Sequence, residues 1–439
     1  MRKVVKFGGS SLADAKQFSK AAGIVRADES RVYVVPSAPG KRFGGDTKVT
    51  DLLYRCYTLA SEGKPFTDPF REIQSRYNEI ITGLGLDFSL ADEFATIEKN
   101  LQTQPDADYT ASRGEYLNGL VMAAYLGFTF IDPVECIFFD EKGNLDEAKT
   151  KQTMRQRLQE VDNAVVPGFY GCGADGKVKT FSRGGSDVTG SIVAGAAKVD
   201  VYENWTDVSG FLVADPRIVT EPVAIKTITY KELRELSYMG ASVLHEDAIF
   251  PVRHEGIPIN IRNTNMPDDP GTWIVESTCQ KSGYTVTGIA GKKDFCAVLI
   301  SKDMMNSEVG FCRKVLQAFE DNGISIEHMP SGIDTMTVVV HETEFVHKEQ
   351  QVVSAIHRLA EPDSIEIESD LALIAVVGRG MKSQRGTAGR IFSALAHAHV
   401  NVRMIDQGSS ELNIIIGVEN KDFEAAIRAI YAIFVETQL

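Results

Sequence analysis

The sequence is short of cysteine, and the little it has follows no metal-binding pattern. Its six cysteines, Cys56, Cys136, Cys172, Cys279, Cys296 and Cys312, are scattered with no Cys-x-x-Cys pair. That excludes a cysteine-based zinc site and gives no disulfide framework, so they read as reduced thiols of a cytoplasmic protein. No apolar run approaches the roughly 20 residues that cross a bilayer, and Met1-Arg2-Lys3-Val4-Val5-Lys6 lacks the apolar core of a signal peptide, so no membrane partner is expected. Clusters of Lys and Arg are missing as well. With 46 basic against 60 acidic residues the net charge is −14, which argues against a nucleic-acid surface. The P-loop pattern Gly-x4-Gly-Lys-Ser/Thr is absent, and no cluster has metal-ligand spacing, so no metal-binding residue is assigned. What remains is a chain of 439 residues, 43% hydrophobic, long enough for two or three domains. Its glycines gather where apolar runs end.

The first such place is Lys6-Phe7-Gly8-Gly9-Ser10-Ser11, directly after Val4-Val5. A strand running into two glycines and two hydroxyls, before a helix-compatible run from Leu12 to Val25, makes a turn whose amides can approach an anion. Lys6 would add charge at the strand's end. Taken alone, Lys-x-Gly-Gly also reads as an ordinary strand-to-helix turn, and its weight comes from the motifs that follow.

Residues 1 to about 275 alternate Val/Ile-rich runs with amphipathic segments, the grammar of an α/β domain. Arg31 to Val35 is a buried-strand candidate ending in Pro36-Ser37-Ala38-Pro39-Gly40, and α/β ligands bind beyond such strand ends. Thr50-Asp51 marks a helix start, and Leu59 to Leu101 reads as a helical cover. Ser112-Arg113-Gly114-Glu115 is expected to open a helix over Tyr116 to Leu126. Glu115 would then lie in its first turn, as a dipole or capping residue or as a partner for a substrate ammonium. Val165 to Gly171 is again an apolar strand ending in glycine, and Asp175-Gly176-Lys177 is a hairpin turn. Then Thr180-Phe181-Ser182-Arg183-Gly184-Gly185-Ser186-Asp187 leads into a small-residue helix from Ser191 to Lys198. This is a second anion-receptive turn, with Asp187 placed to orient a lysine or a metal-bound water. Val199 to Trp205 is a strand whose end, Thr206-Asp207, precedes Asp215-Pro216-Arg217, with Arg217 the natural phosphate partner.

In order and spacing, Lys6 to Ser11, Arg183 to Asp187, Trp205-Thr206-Asp207-Val208, Asp215-Pro216-Arg217 and Gly240-Ala241-Ser242-Val243-Leu244-His245 resemble the aspartokinases of the amino-acid kinase superfamily. The resemblance covers essentially the whole chain. It implies an α/β fold with a three-layer αβα catalytic domain at 1–278, ATP with Mg²⁺ as cofactor, and phosphorylation of the β-carboxylate of L-aspartate. A carboxylate nucleophile is ionised at neutral pH and needs no general base, so positioning and charge stabilisation would carry catalysis. The family likeness assigns Lys6 to the transferring phosphoryl group, with Gly8, Gly9 and Ser10 and Gly184 and Gly185 as backbone donors. Asp187 would hold Lys6 or the magnesium shell. Aspartate would meet Glu115 at its ammonium and Arg183 at a carboxylate, with Ser37, Thr50, Phe169 and Ser186 around it. The nucleotide would lie near Thr206, Asp207, Leu212 and Arg217. Ser242 stands where many aspartokinases carry a lysine, and His245 reads as structural. A glutamate or acetylglutamate kinase, or an inactive amino-acid sensor, are the alternatives that stay open.

Beyond residue 276 the sequence repeats itself at an offset of 76 residues, with Gly310 answering Gly386, Ile324 answering Val400 and Val338 answering Ile414. Each copy reads strand, helix, strand, strand, helix, strand, with strands at Ile324 to His328 and Val400 to Met404. This resembles tandem ACT domains of ferredoxin-like βαββαβ form, placed at 292–368 and 369–439. The likeness implies an L-lysine effector site at Met305, Ser307, Gly310, Phe311, Ser325 and Glu327, with Glu327 facing the effector's ammonium. It also implies a homodimer through edge strands.

Overall fold

Runs of β-branched residues with apolar neighbours on both sides build a sheet covered on both faces, the arrangement parallel sheets require. In the computed structural model, which describes residues 1–182, 184–241, 244, 246–278 and 285–437, its strands are β1 (Lys3–Phe7), β2 (Arg31–Pro36), β3 (Thr129–Phe130) and β4 (Ala164–Val165). After a separate hairpin of β5 (Tyr170–Cys172) and β6 (Val178–Thr180) come β7 (Val201–Thr206), β8 (Thr227–Thr229), β9 (Ile259–Asn263) and β10 (Thr272–Val275). The order is β3-β4-β2-β1-β7-β9-β10-β8, parallel except where β10 meets β9. β1 lies at the centre between β2 and β7, and this register sets Lys6 opposite Asn204.

Of helices α1 (Ala15–Arg26), α2 (Val49–Ser61), α3 (Thr67–Gly83), α4 (Ala91–Thr103) and α5 (Ala107–Leu126), α5 lies against β2, β3 and β4, while α3 packs on α1 and α2 and α4 packs on α2 and α5. One core joins Val5 and Phe7 to Phe18, Leu52, Phe70, Tyr77, Leu117 and Trp205. Two expected helix starts move. The turn after β1 is a single 3-10 turn at Gly9–Leu12, and α1 starts later, where Asp14 accepts from the Gln17 amide at 2.8 Å. α5 begins at Ala107, capped by Asp106, so Glu115 lies in mid-helix and not in the first turn. Its first-turn role is therefore withdrawn: no helix-end amide is available to it. α6 (Glu147–Gln159) and α7 (Gly185–Ala197) follow, and α7 starts earlier than Ser191, which brings Asp187 into its first turn.

The chain divides into two compact bodies. The first holds the sheet above, together with α9 (Phe250–Arg253), which follows α8 (Tyr230–Tyr238) in the chain. The second is Leu212–Val223, Glu232–Ser242 and Cys279–Leu439 in its described residues, so it takes in segments that a single boundary at 278 leaves with the catalytic domain. Its sheet has the order β12-β11-β13-β15-β14, from β11 (Gly288–Ser301), β12 (Thr335–His341), β13 (Ser364–Val377), β14 (Met404–Asp406) and β15 (Asn413–Glu419). α10 (Phe311–Asp321), the short α11 (Glu342–Phe345) and α12 (Glu349–Ala360) form the first repeat's helices; α13 (Thr387–His397) and α14 (Phe423–Tyr431) form the second's.

The repeat is visible in backbone detail, since Gly310 and Gly386 cap α10 and α13 with φ of 87° and 83°. Two expectations change. Ile324 to His328 forms only a bridge from His328 to Val339, and β14 begins at Met404. Nor does each copy own six elements. β11 and β13 are 14 residues long and pair with each other along both halves, so each long strand serves both repeats. After α14 the chain continues as a further helical turn at Ala432–Glu436, not as a sixth strand.

Candidate active site

Three side chains meet where β1, β7 and α7 converge. Lys6 Nζ lies 2.6 Å from Asp187 Oδ1, and Asn204 Nδ2 donates to the same oxygen at 2.8 Å. Lys6 also reaches Asn204 Oδ1 at 3.5 Å. The group is largely buried, which strengthens each electrostatic contact. Tyr202 holds the helix in place by donating to the Asp187 carbonyl at 3.1 Å. Asn204 was missed in the sequence, although its register opposite Lys6 would have exposed it once the pairing of β1 with β7 was known.

Two chain turns flank this cluster. Gly9 fits only as glycine, because a Cβ there would lie 2.8 Å from the Ala38 carbonyl oxygen. The Gly8 amide donates to the Trp205 carbonyl at 3.0 Å, so its expected role as an anion donor is corrected. The Gly9 and Ser10 amides open the 3-10 turn and precede any intrahelical acceptor. On the other side Gly184, at φ 58°, caps α7, and the amides of Gly185 and Ser186 open that helix. A helix N-terminus and a glycine turn, with a lysine between them, form an anion-receptive cleft.

Glu115 borders the same cleft. It is buried, one carboxyl oxygen has no partner, and burial pushes its pKa up to about 8 against the opposing pull of the Ala38 amide and Lys6. One turn on, Asn118 donates to the Ser37 carbonyl at 2.6 Å while its own Oδ1 is buried and unpartnered. Two orphaned acceptors side by side on α5 mark a place for a ligand's donors. Asn118 too was missed; its signal was the three-residue spacing from Glu115 on one helix face. Thr50 lies in the first turn of α2. Phe169 takes the left-handed φ of 84°, with its amide donating to Thr189 Oγ1 at 3.2 Å, and Ser186 packs where Gly168 has no Cβ. A non-glycine residue in that conformation costs about 1 kcal/mol or more, which the surrounding contacts must offset.

Thr206 and Asp207 end β7, with the Thr206 hydroxyl donating to Asp207 at 3.2 Å. Leu212 and Arg217 belong to the second body, where Arg217 is paired with Asp215 at 2.6 Å. Arg183, Ser242 and His245 lie outside the described residues. Of the effector candidates, Met305 and Phe311 are buried in the first repeat's core with Val315, Phe319 and Val338, so their side chains serve packing. Ser307 is exposed, Gly310 caps α10, and the Ser325 amide reaches Glu344 at 3.3 Å. Glu327 Oε2 accepts from the Tyr238 hydroxyl at 2.5 Å. Among the described residues no helix is long and apolar enough to cross a membrane.

The family model described as amino acid kinase family matches residues 1–263, and one described as ACT domain matches 374–434. Aspartokinase 3 of Bacillus subtilis is 40% identical, over 98% of this chain and 98% of its own length. The aspartate kinase of Clostridium acetobutylicum is 53% identical with a TM-score of 0.89, covering 98% of this chain and 99% of that one. Escherichia coli aspartokinase III in complex with aspartate and ADP shares the fold, at a TM-score of 0.78 and 23% identity over 99% of both chains. The chain belongs to the amino acid kinase family and, within it, to the aspartokinases.

Proposed function

We propose that this chain transfers the γ-phosphoryl group of ATP to the β-carboxylate of L-aspartate, giving 4-phospho-L-aspartate for lysine, threonine and methionine synthesis. The observation that carries this reading is the pairing of Lys6 with Asp187 in the same cleft as the orphaned carboxyl oxygen of Glu115. Lys6 stabilises charge on the transferring phosphoryl oxygens, and Asp187 and Asn204 hold its ammonium in line. Glu115 takes the substrate ammonium; its burial makes that pairing strong, because the site must otherwise keep the carboxyl protonated. Arg183 is assigned the substrate carboxylate, and Ser37, Thr50, Phe169 and Ser186 shape the pocket. Gly9, Ser10, Gly184 and Gly185 offer backbone donors to phosphates, while Thr206, Asp207, Leu212 and Arg217 are assigned to the nucleotide. Magnesium, arriving with ATP, would neutralise phosphate charge. The donors fit it, since among the described residues both side-chain contacts of Asp187 fall on Oδ1, and Oδ2 would face the ion's hydration shell.

Regulation follows from the paired repeats. L-lysine is the proposed effector of the first, with Glu327 exchanging the Tyr238 hydroxyl for the effector's ammonium; the proposed state is a cytoplasmic homodimer. A hydroxamate assay with ATP, Mg²⁺ and aspartate, glutamate or acetylglutamate tests the reaction: turnover is expected with aspartate alone. Preference for another acceptor, or ligand binding without turnover, would overturn it.

A further inference from the structure

The 76-residue offset between the repeats carries Asp303 onto Arg379. In the first repeat the Asp303 amide donates to Asp363 Oδ2 at 2.6 Å, at the surface. In the second the Arg379 amide donates to Glu232 Oε1 at 2.9 Å, and Arg379 Nη1 donates to Glu232 Oε2 at 2.8 Å. The Thr287 hydroxyl adds a third bond to the carboxylate, donating to Oε1 at 2.6 Å. The same backbone amide therefore meets a carboxylate in both repeats. Only in the second is that carboxylate fully buried and supplied by a distant segment, α8, with the glutamate 0% exposed.

Three converging donors around one buried carboxylate are what a built carboxylate site contains, because an ionised group is stable out of water only when charge-assisted bonds replace its hydration. The backbone is shaped for it. A Cβ on Gly378 or Gly380 would lie 2.5 or 2.8 Å from the Thr285 carbonyl oxygen, so both must be glycine for the loop to close down. Arg379 Nε is buried without a partner, a further donor beyond those Glu232 uses. The α8 face that carries Glu232 makes two further contacts within this body: Glu235 Oε2 accepts from Asn413 Nδ2 at 2.6 Å, and Leu236 packs where Gly288 has no Cβ.

We propose that the Gly378–Gly380 loop with Thr287 is a carboxylate-binding site whose ligand is the chain's own Glu232. The second repeat is thereby closed to free amino-acid carboxylates, and the first is left as the one open to an effector. Only this last consequence rests on the regulatory reading above.

The test uses the full chain carrying Glu232→Ala, melted in sodium acetate and in sodium chloride at equal pH and ionic strength. In chloride the variant is expected to melt roughly 5 °C or more below the parent, since one partner of a buried pair is gone. Acetate should restore at least half of that shift while leaving the parent unmoved. Equal melting of the variant in the two salts would overturn the site. If the alanine variant folds in neither salt, Glu232→Gln, which keeps the volume and loses the charge, must melt below the parent; a melt at the parent's temperature overturns the proposal. Calorimetric titration with lysine separates the two readings. An extra lysine bound per chain by Glu232→Ala in chloride supports closure of the second repeat, and unchanged stoichiometry overturns it. A parent that binds no lysine overturns the regulatory reading and leaves the acetate result to decide the site.

Discussion

In the proposed reaction Glu115 joins buried charge to substrate choice. Between the ordinary carboxyl value of 4.5 and about 8, the folded ligand-free chain keeps a proton here that the unfolded chain has lost, so this group's contribution to stability falls as pH rises through that window. An ammonium ligand needs the carboxylate, and below about pH 8 its binding must release the proton. The KM for aspartate is therefore expected to rise by up to about tenfold for each pH unit below 8, and Glu115→Gln should raise KM and flatten that dependence; steady-state kinetics across pH 6–9 measures both. In the proposed reaction Lys6 acts on the transition state. Lys6→Ala should lower kcat by about 10²-fold or more with a much smaller change in aspartate KM, and an unchanged kcat would remove Lys6 from the mechanism.

At the scale of elements, the cleft depends on how tightly its turns are held. The segment between β2 and α2 is pinned by Arg76, whose guanidinium, almost wholly buried, donates to the Gly40 carbonyl at 3.0 Å and to both Asp46 oxygens at 3.0 and 2.9 Å. Gly40 in turn donates to the Gly9 carbonyl at 2.8 Å, which links that anchor to the glycine turn after β1. Removing one partner of a buried ion pair costs about 3–5 kcal/mol. Arg76→Met should accordingly lower the melting temperature and weaken aspartate binding, as calorimetry and kinetics on the same preparation would reveal. Gly9→Ala is expected to shift this turn and cut turnover at least about tenfold, because its Cβ pushes on the Ala38 carbonyl beside Glu115.

Legibility differed by element. The strands β1, β2 and β7 and the glycine turns were readable because strand ends and glycine placement are local signals. The start of α5 was not. That helix is buried on nearly every side, so it lacks the apolar stripe that marks a helix's extent, and Glu115 was placed in a first turn that lies eight residues earlier. The hairpin at Gly176 behaved as its sequence implied, with φ of 78° and β5 paired antiparallel to β6.

For the whole molecule, the expected outcome is inhibition of aspartate-dependent ADP formation by lysine, with threonine and methionine as controls. Glu327→Ala should relieve that inhibition and keep uninhibited turnover near the parent's; inhibition by threonine instead would reassign the effector. The 76-residue repeat, the two anion-receptive turns and the acidic balance were all determined by the sequence itself, since periodicity, glycine and charge are properties of neighbouring residues. Only the tertiary structure decided that Asn204 stands 198 positions from the Lys6 it supports, and that Glu232 crosses 147 positions to Arg379. Such partners are set by strand order and by burial, and burial also decides whether a carboxyl such as Glu115 holds its proton. Neither can be read from a residue's neighbours along the chain.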